Sequence, residues 1–306
     1  MKTILLLALM SCMCLGSLAQ GARTYQFAEK SGESLYMDVY TPSEVNDSTI
    51  TVVYIFGGGF ISGQRDDEWA VKYCSQLSQE GFIAVAIDYR LGLKGKSNIG
   101  ITNHKPLEDA IQMAAEDAIS ALEYLCKHKE LGVNADLIVL VGCSAGAIAA
   151  LQTDYAICNG FFNAGILPEG FKLAGVASYS GAILSKNGKV KYRKPPPSPT
   201  MFFHGTSDKL VTYKQIEFFR LGFYGSSKLA ARFKKFEYPY YFRKYKDLCH
   251  SVATFYTSTI DEFKWFVDNY VRGGKKWQVE ETFNDLNWNA EWEFDSFKPN
   301  DLYKKE

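Results

Sequence analysis

The pattern G-x-S-x-G occupies residues 142–146 and places Ser144 between an apolar run and a helical one. In that setting the pattern is typical of a tight strand-to-helix turn, which exposes the serine hydroxyl above the edge of a sheet. A hydroxyl activated by a neighbouring base attacks a carbonyl carbon and forms a covalent acyl intermediate. The pattern therefore predicts Ser144 as a nucleophile for acyl transfer. Cys143 is a rival, but the turn should direct its thiol away from the exposed face.

A carboxylate and an imidazole follow Ser144 in the order that such a turn requires, which is serine, acid, histidine. Asp208 comes shortly after the apolar run 200–204, on the turn that leaves the predicted strand. His250 comes later, just before the last predicted helix. We therefore expect His250 to be the base and Asp208 to orient it. Asp247 is a rival acid, but it lies only three residues from His250.

Four histidines compete for the role of base. His104 and His128 precede the nucleophile, which is the wrong order for this arrangement. His204 lies at the end of a predicted strand, where it is better suited to support the loop that carries Asp208. Order along the chain therefore selects His250.

Backbone N–H groups near Ser144 are expected to stabilise the negative oxygen of a tetrahedral intermediate. Ala145 follows the serine at the start of a helix, so its N–H is one candidate donor. Residues 57–59 are three glycines after the apolar run 51–56, and glycine lets the backbone approach a substrate closely. Three glycines alone would indicate only a strand-to-loop turn. Because they precede a nucleophile turn, these glycines favour a second source of backbone N–H donors for the oxyanion.

Apolar strands alternate with amphipathic helices along the chain, after an opening β-hairpin. The hairpin is predicted over 25–40, the strands over 51–56, 82–87, 137–141, 173–179 and 200–204, and the helices over 69–79, 107–127, from 145 onwards, and 254–271. This alternation predicts an α/β fold with a mostly parallel central sheet and helices on both faces. Strands this apolar need cover on both faces.

The composition is that of an ordinary globular protein, with 47 % hydrophobic and 15 % aromatic residues in 306. The 34 basic and 34 acidic residues balance, so no positive field points to nucleic acid. The sequence has no metal-ligand cluster, phosphate loop or dinucleotide fingerprint, so no cofactor is expected.

Residues 1–19 are predicted to be a signal peptide, because a positive start and a short apolar run precede a small-x-small site. The mature protein would be secreted or periplasmic; lipid attachment at Cys12 is the alternative. Five cysteines would remain after cleavage. Because the number is odd, at least one thiol would stay outside any disulfide within the chain, unless two chains are cross-linked; one internal disulfide is allowed. No later stretch is long and apolar enough to cross a membrane.

Five segments, taken in order, resemble the α/β-hydrolase superfamily and in particular the hormone-sensitive-lipase-like esterases of the GGGX kind. They are FGGGF at 56–60, DYRL at 88–91, AEDA at 115–118, VGCSAG at 141–146 and HGTSD at 204–208. The resemblance covers the chain from about residue 24 to about residue 272. It implies an α/β-hydrolase fold, an acyl-enzyme mechanism and no cofactor.

The same resemblance implies oxyanion donors at Gly58, Gly59 and Ala145, with Asp208 and His250 as acid and base. Three positions depart from the family's pattern. Phe56 stands where histidine is usual, which would loosen the oxyanion loop, and Cys143 and Ala147 stand where aspartate and glycine are common.

Only about twenty residues separate the strand ending near Tyr179 from the strand starting at Thr200, so little or no cap domain is expected. An open site of this kind suits esters on a bulky group, such as acetyl or hydroxycinnamoyl esters of carbohydrates. Two alternatives remain: a serine peptidase of the prolyl-oligopeptidase type, and a non-catalytic binding module on the same fold.

Three further segments carry weaker predictions. The loop 91–106 holds several basic residues and is interpreted as solvated, with contact to an acidic substrate as the alternative. The basic and aromatic stretch 228–246 is interpreted as a partly buried insertion, with a carbohydrate-stacking wall as the alternative. The hydrolase domain would span 20–274, and the tail 275–306, with Trp277, Trp288 and Trp292, would pack on it or on the partner in a homodimer.

Overall fold

The computed structural model describes residues 21–97, 99–100, 103–193 and 195–287. The predicted signal peptide, Cys12, Trp288 and Trp292 therefore lie outside the described residues.

A nine-stranded sheet forms the centre of the molecule, and a three-stranded sheet lies beside it. In chain order the strands are β1 (Arg23–Lys30), β2 (Glu33–Tyr40), β3 (Thr51–Ile55), β4 (Ile83–Ile87), β5 (Ile138–Cys143), β6 (Gly175–Tyr179), β7 (Ala182–Ser185), β8 (Thr200–Gly205), β9 (Gln215–Phe218), β10 (Leu221–Gly225), β11 (Tyr240–Tyr245) and β12 (Gln278–Phe283). The large sheet has the order β1-β2-β4-β3-β5-β6-β8-β11-β12. Strands β1 and β2 pair antiparallel and β2 pairs antiparallel with β4, whereas the other pairings are parallel.

The described residues form five α-helices: α1 (Glu68–Gln79), α2 (Lys105–Lys127), α3 (Ala145–Asn159), α4 (Ser226–Lys235) and α5 (Ile260–Phe266). The step from β3 to β4 runs opposite to the steps from β4 to β5 and from β5 to β6. Because parallel crossovers are right-handed, α1 lies on one face of the sheet and α2 and α3 lie on the other. Every residue of β3, β4, β5 and β6 is buried between these layers. The predicted fold class is confirmed.

The last helical region differs from the continuous helix predicted over 254–271. A 3-10 segment covers His250–Thr257, α5 follows, and a π-helical segment covers Val267–Arg272. The Phe255 carbonyl explains the first break, since the hydroxyls of Ser258 and Thr259 donate to it at 3.1 and 2.9 Å. Hydroxyl groups that bond to a nearby carbonyl compete with helix formation.

The basic and aromatic stretch 228–246 is part of the main fold rather than an insertion. It contains most of α4 and all of β11, which lies between β8 and β12 in the sheet. Five of its aromatic side chains are buried in the core: Phe233, Tyr240, Tyr241, Phe242 and Tyr245. These rings are therefore not available as a carbohydrate-stacking wall.

The described part of the predicted tail adds β12 to the edge of the sheet, parallel to β11. The Tyr240 hydroxyl donates to Glu280 at 2.5 Å, and Arg243 pairs with Glu281 across the same two strands. Trp277 contacts the rings of Trp265 and Tyr270. A homodimer through the tail stays a prediction. Among the described residues, no helix has both the length and the apolar character needed to span a membrane.

Candidate active site

Ser144 sits on the turn between β5 and α3, in the strained conformation φ 53° and ψ −120°. The two glycines of the pattern are required by the closeness of the backbone. A Cβ on Gly142 would lie 2.2 Å from the Gly146 carbonyl oxygen, and one on Gly146 would lie 2.0 Å from the Ile55 carbonyl oxygen. The turn is held by the Ser144 N–H, which donates to the Tyr179 carbonyl at 2.9 Å. The predicted strand-to-helix turn is thus present.

Ser144, His250 and Asp208 lie in one hydrogen-bonded row. Nε2 of His250 is 2.8 Å from Ser144 Oγ, and Nδ1 of His250 is 2.8 Å from Asp208 Oδ2. Because an ionised carboxylate only accepts hydrogen bonds, Nδ1 carries the ring proton. Nε2 is then free to accept the serine hydroxyl, which is the geometry a general base needs.

Asp208 is buried and fully hydrogen-bonded. Its Oδ1 accepts from the N–H groups of Leu210 at 2.9 Å and Val211 at 3.0 Å. Its Oδ2 contacts both His250 and the ring of His204, the latter at 3.2 Å. Burial by itself raises the pKa of Asp208, but the hydrogen bonds from His204 and His250 outweigh it and hold the pKa well below its usual value. The carboxylate therefore stays ionised.

His204 contacts Asp208, whereas the histidine that contacts Ser144 is His250. Its side chain is fully buried. Nε2 faces the Val211 carbonyl at 3.1 Å as well as Asp208, so Nε2 is the protonated nitrogen. Nδ1 lies 2.8 Å from the hydroxyl of Ser226 at the start of α4. Sequence reasoning found the role of His204 but not Ser226 or Val211, because neither residue has a motif that marks it.

The three predicted oxyanion donors are backbone N–H groups of the nucleophile turn and of the glycine loop, which lies against that turn: a Cβ on Gly57 would be 3.3 Å from the Cβ of Ser144. None of the N–H groups of Gly58, Gly59 and Ala145 donates a hydrogen bond to another residue in the described ranges. Gly58 has a φ of 108°, and a Cβ there would lie 2.0 Å from the Ser62 carbonyl oxygen. Only glycine fits this position.

The carbonyls that belong to two of these peptide units are anchored. The Gly58 carbonyl accepts from the N–H groups of Ile61 at 3.0 Å and Ser62 at 3.1 Å. The Ser144 carbonyl accepts from the N–H of Ile148 at 3.0 Å. In a planar trans peptide the N–H points opposite to the C=O. Each anchored carbonyl therefore fixes the direction of the next N–H, which belongs to Gly59 in one case and Ala145 in the other.

The rival nucleophile and the rival acid are both poorly placed. Cys143 is buried, its sulfur lies 3.3 Å from the Tyr54 hydroxyl, and burial raises the pKa of its thiol to about 11. It is therefore protonated at neutral pH and is a weak nucleophile. Asp247 is exposed on the turn after β11, and its backbone N–H donates to the Thr206 hydroxyl at 2.8 Å.

No helical cap covers the site within the described residues. The connection from β6 to β8 contains the short strand β7, which pairs with β10, and β10 pairs with β9. The β7 backbone is tied to α3 by the Gln152 side chain, which bonds the N–H and the carbonyl of Leu184 at 3.1 and 3.2 Å. No disulfide joins the five cysteines in the described ranges. No cluster of three or more His, Cys, Asp or Glu side chains there has the arrangement of a metal site.

Comparison with known proteins finds similarity over part of the chain. The BD-FAE family model matches residues 37–157, which is less than half of the chain. The fumonisin B1 esterase of Sphingopyxis macrogoltabida is 28 % identical over 162 residues, covering 50 % of this chain and 29 % of that protein. Esterase E4 of Myzus persicae is 26 % identical over 150 residues, covering 45 % and 25 %. The chain thus spans less than a third of the length of these relatives.

Solved structures extend the similarity to most of the chain at the level of the fold. A thermophilic esterase from Thermogutta terrifontis superposes with a TM-score of 0.59 at 20 % identity, covering 81 % of this chain and 91 % of that one. The same esterase phosphorylated by paraoxon superposes with a TM-score of 0.56 at 19 % identity, covering 81 % of this chain and 94 % of that one. The fold is that of the α/β-hydrolases. In sequence the chain is similar to esterases, in agreement with the resemblance found in its motifs.

Proposed function

We propose that this protein is a serine carboxylic-ester hydrolase that works through an acyl-enzyme. One observation carries the proposal: Ser144, His250 and Asp208 form a continuous hydrogen-bonded row, and the glycine loop lies against the turn that holds Ser144. This constellation suits acyl transfer, because it supplies a nucleophile, a base and an oxyanion site at one place.

In the first half of the reaction, His250 Nε2 takes the proton of Ser144 as Oγ attacks the ester carbonyl. The N–H groups of Gly58, Gly59 and Ala145 stabilise the oxyanion of the tetrahedral intermediate. Asp208 holds the imidazole in its tautomer and stabilises the imidazolium that forms. Collapse of the intermediate re-forms the carbonyl and breaks the bond between its carbon and the alcohol oxygen, and His250 gives its proton to the departing alcohol.

In the second half, a water molecule takes the place of the alcohol. His250 removes a proton from this water as it attacks the acyl carbonyl, and the oxyanion is stabilised by the same donors. Collapse breaks the bond to Ser144 Oγ, which recovers its proton from His250. The carboxylic acid leaves, and the enzyme returns to its starting state.

We propose short acyl groups, acetyl first, on a bulky alcohol such as a carbohydrate, with hydroxycinnamoyl esters next. The open site supports this choice, since no helical cap in the described ranges would exclude a large alcohol. The Thermogutta terrifontis esterase has been solved with propionate and with butyrate bound, which supports short acyl groups on a related scaffold. We further propose export from the cytoplasm, on the strength of the signal-like residues 1–19.

Hydrolysis of p-nitrophenyl acetate, butyrate and octanoate, beside methyl ferulate and acetylated xylan, tests the proposal. We expect turnover that Ser144→Ala lowers by several orders of magnitude without unfolding the protein. Cys143→Ala is the matched control, and it should keep kcat within a few fold of the wild type. Absence of turnover on every ester by the folded wild type would contradict the proposal and favour a peptidase or a binding module.

A further inference from the structure

The hydroxyl of Tyr89 lies under the loop that carries the first two oxyanion donors. It is 3.2 Å from the carbonyl oxygen of Phe56 and 3.2 Å from that of Gly57. Both carbonyls only accept, so the single phenolic proton is shared between them. Tyr89 is buried, and burial raises the pKa of its hydroxyl well above the usual value. The hydroxyl therefore remains a donor at any pH at which the enzyme works.

The hydrogen bond from Tyr89 to the Gly57 carbonyl matters because the N–H of Gly58 belongs to the same peptide unit. The carbonyl of Gly57 and the N–H of Gly58 belong to one planar trans peptide and point in opposite directions. A carbonyl held on Tyr89 therefore turns the Gly58 N–H away from Tyr89. The other two donors are aimed in the same way by the anchored carbonyls of Gly58 and Ser144. Tyr89 is the side chain that performs this task for Gly58.

The Tyr89 ring also fixes the position of the loop. It stacks on the ring of Phe56, with centroids 4.4 Å apart and planes 25° apart. It meets the ring of Phe60 edge-on at 6.0 Å. The Phe60 carbonyl accepts from the N–H of Leu93 at 2.9 Å, so the segment after β4 holds the loop at both ends. The prediction that Phe56 loosens this loop is therefore not supported by its packing.

We propose that Tyr89 is a positioning residue for the oxyanion site, and that its hydroxyl aims the Gly58 N–H at the oxygen of the tetrahedral intermediate. The inference rests on the proposed esterase function and assigns a further residue to it. Tyr89 does not touch the substrate. Its effect reaches the reaction through one peptide unit, so it should act on the transition state more than on the bound ester.

Tyr89→Phe tests the inference, because it keeps the stacked ring and removes only the hydroxyl. Loss of a whole oxyanion donor lowers kcat by about 10²–10³. A misdirected donor should lower it less, so we expect kcat for p-nitrophenyl acetate to fall about tenfold with KM little changed. A boronic acid that forms a tetrahedral adduct on Ser144 should lose affinity by a similar factor.

Tyr270→Phe is the matched control, since the Tyr270 hydroxyl also donates from a buried site to a backbone carbonyl, that of Tyr240 at 3.0 Å. It should lower the melting temperature while leaving kcat and the boronic acid's affinity unchanged. Wild-type kcat and inhibitor affinity in Tyr89→Phe would overturn the inference. So would an equal loss of kcat in Tyr270→Phe, which would trace both losses to stability. A wild type without turnover would instead overturn the proposed function.

Discussion

Nε2 of His204 lies 3.2 Å from Oδ2 of Asp208, four residues further along the chain, and both side chains are fully buried. The same oxygen, Oδ2, accepts from Nδ1 of His250. Asp208 is therefore fixed from the protein interior before it engages the imidazole that contacts Ser144. An acid held in this way needs no rearrangement when the imidazolium forms.

His204→Phe should lower kcat about tenfold with a small change in KM, because it keeps a ring of similar shape and removes the Nε2–H that faces Asp208. Steady-state kinetics on p-nitrophenyl acetate measures the effect. Ser226→Ala is the control, since it removes the partner of His204 Nδ1 and leaves the contact with Asp208 in place. An unchanged kcat in His204→Phe would show that the backbone N–H groups suffice to hold Asp208.

Asp208→Asn should lower kcat by roughly 10⁴, the loss seen when such an acid no longer selects the productive tautomer of the histidine. Steady-state kinetics on p-nitrophenyl acetate measures this loss.

Asp208→Asn should also remove a pH dependence of the free energy of unfolding. The depressed pKa of Asp208 gives stability that is present above the unfolded pKa of about 3.9 and is lost as pH falls toward the folded value. Denaturant unfolding at pH 7 and in the acid range below pH 4 should therefore show a difference between wild type and variant that shrinks in acid.

The carboxyl group of Asp154 should make the protein less stable as pH rises, which is opposite to the effect of Asp208. Burial raises its pKa to about 6, against the hydrogen bonds from the Ser198 side chain at 2.6 Å and backbone N–H at 3.3 Å. A raised carboxyl pKa gives stability that is present below the unfolded pKa and is lost as pH rises through the folded one. Between about pH 4 and pH 6 the wild type should lose on the order of 3 kcal/mol from this group. Asp154→Asn should flatten that part of the stability profile, and a profile parallel to the wild type would contradict the prediction.

Gly146→Ala should disrupt the nucleophile turn, because its Cβ would lie 2.0 Å from the carbonyl oxygen of Ile55. Overpacking of this kind destabilises by about 1–3 kcal/mol or more. Gly165→Ala is the control, since a Cβ there meets nothing within 4 Å. Thermal unfolding should show a clear decrease for the first variant and little change for the second. A similar melting temperature for both would mean that the turn relaxes easily.

The candidate site could largely be predicted from the sequence, because each of its motifs spans only a few consecutive residues. The G-x-S-x-G turn, the glycines at 57–59 and the segment HGTSD each carry their constraint within five residues, and the order of acid and base is fixed by topology. The apolar strands and amphipathic helices around them have clear periodicity, so the main sheet could also be predicted.

Strands β11 and β12 were not predicted, because they are stabilised by residues that are distant in the sequence. Strand β11 contains Arg243 and Lys244, two charged residues that favour a partly buried insertion over a strand of the main sheet when only the sequence is known. Arg243 pairs with Glu262 and Glu281, and Lys244 pairs with Glu280, 36 residues away. A local pattern cannot reveal such pairing, and the same is true of β12, which is exposed on its edge and has little apolar periodicity.

Mass spectrometry after reaction with paraoxon tests the central claim most directly, namely that Ser144 is the nucleophile. The attack of Oγ on phosphorus expels p-nitrophenol and leaves a diethylphosphoryl group on the serine. We predict one such group per chain, located on the peptide that contains Ser144 and absent from Ser144→Ala, with loss of ester turnover in proportion to labelling. A label on another residue, or full ester turnover in a protein whose Ser144 is labelled, would contradict the account.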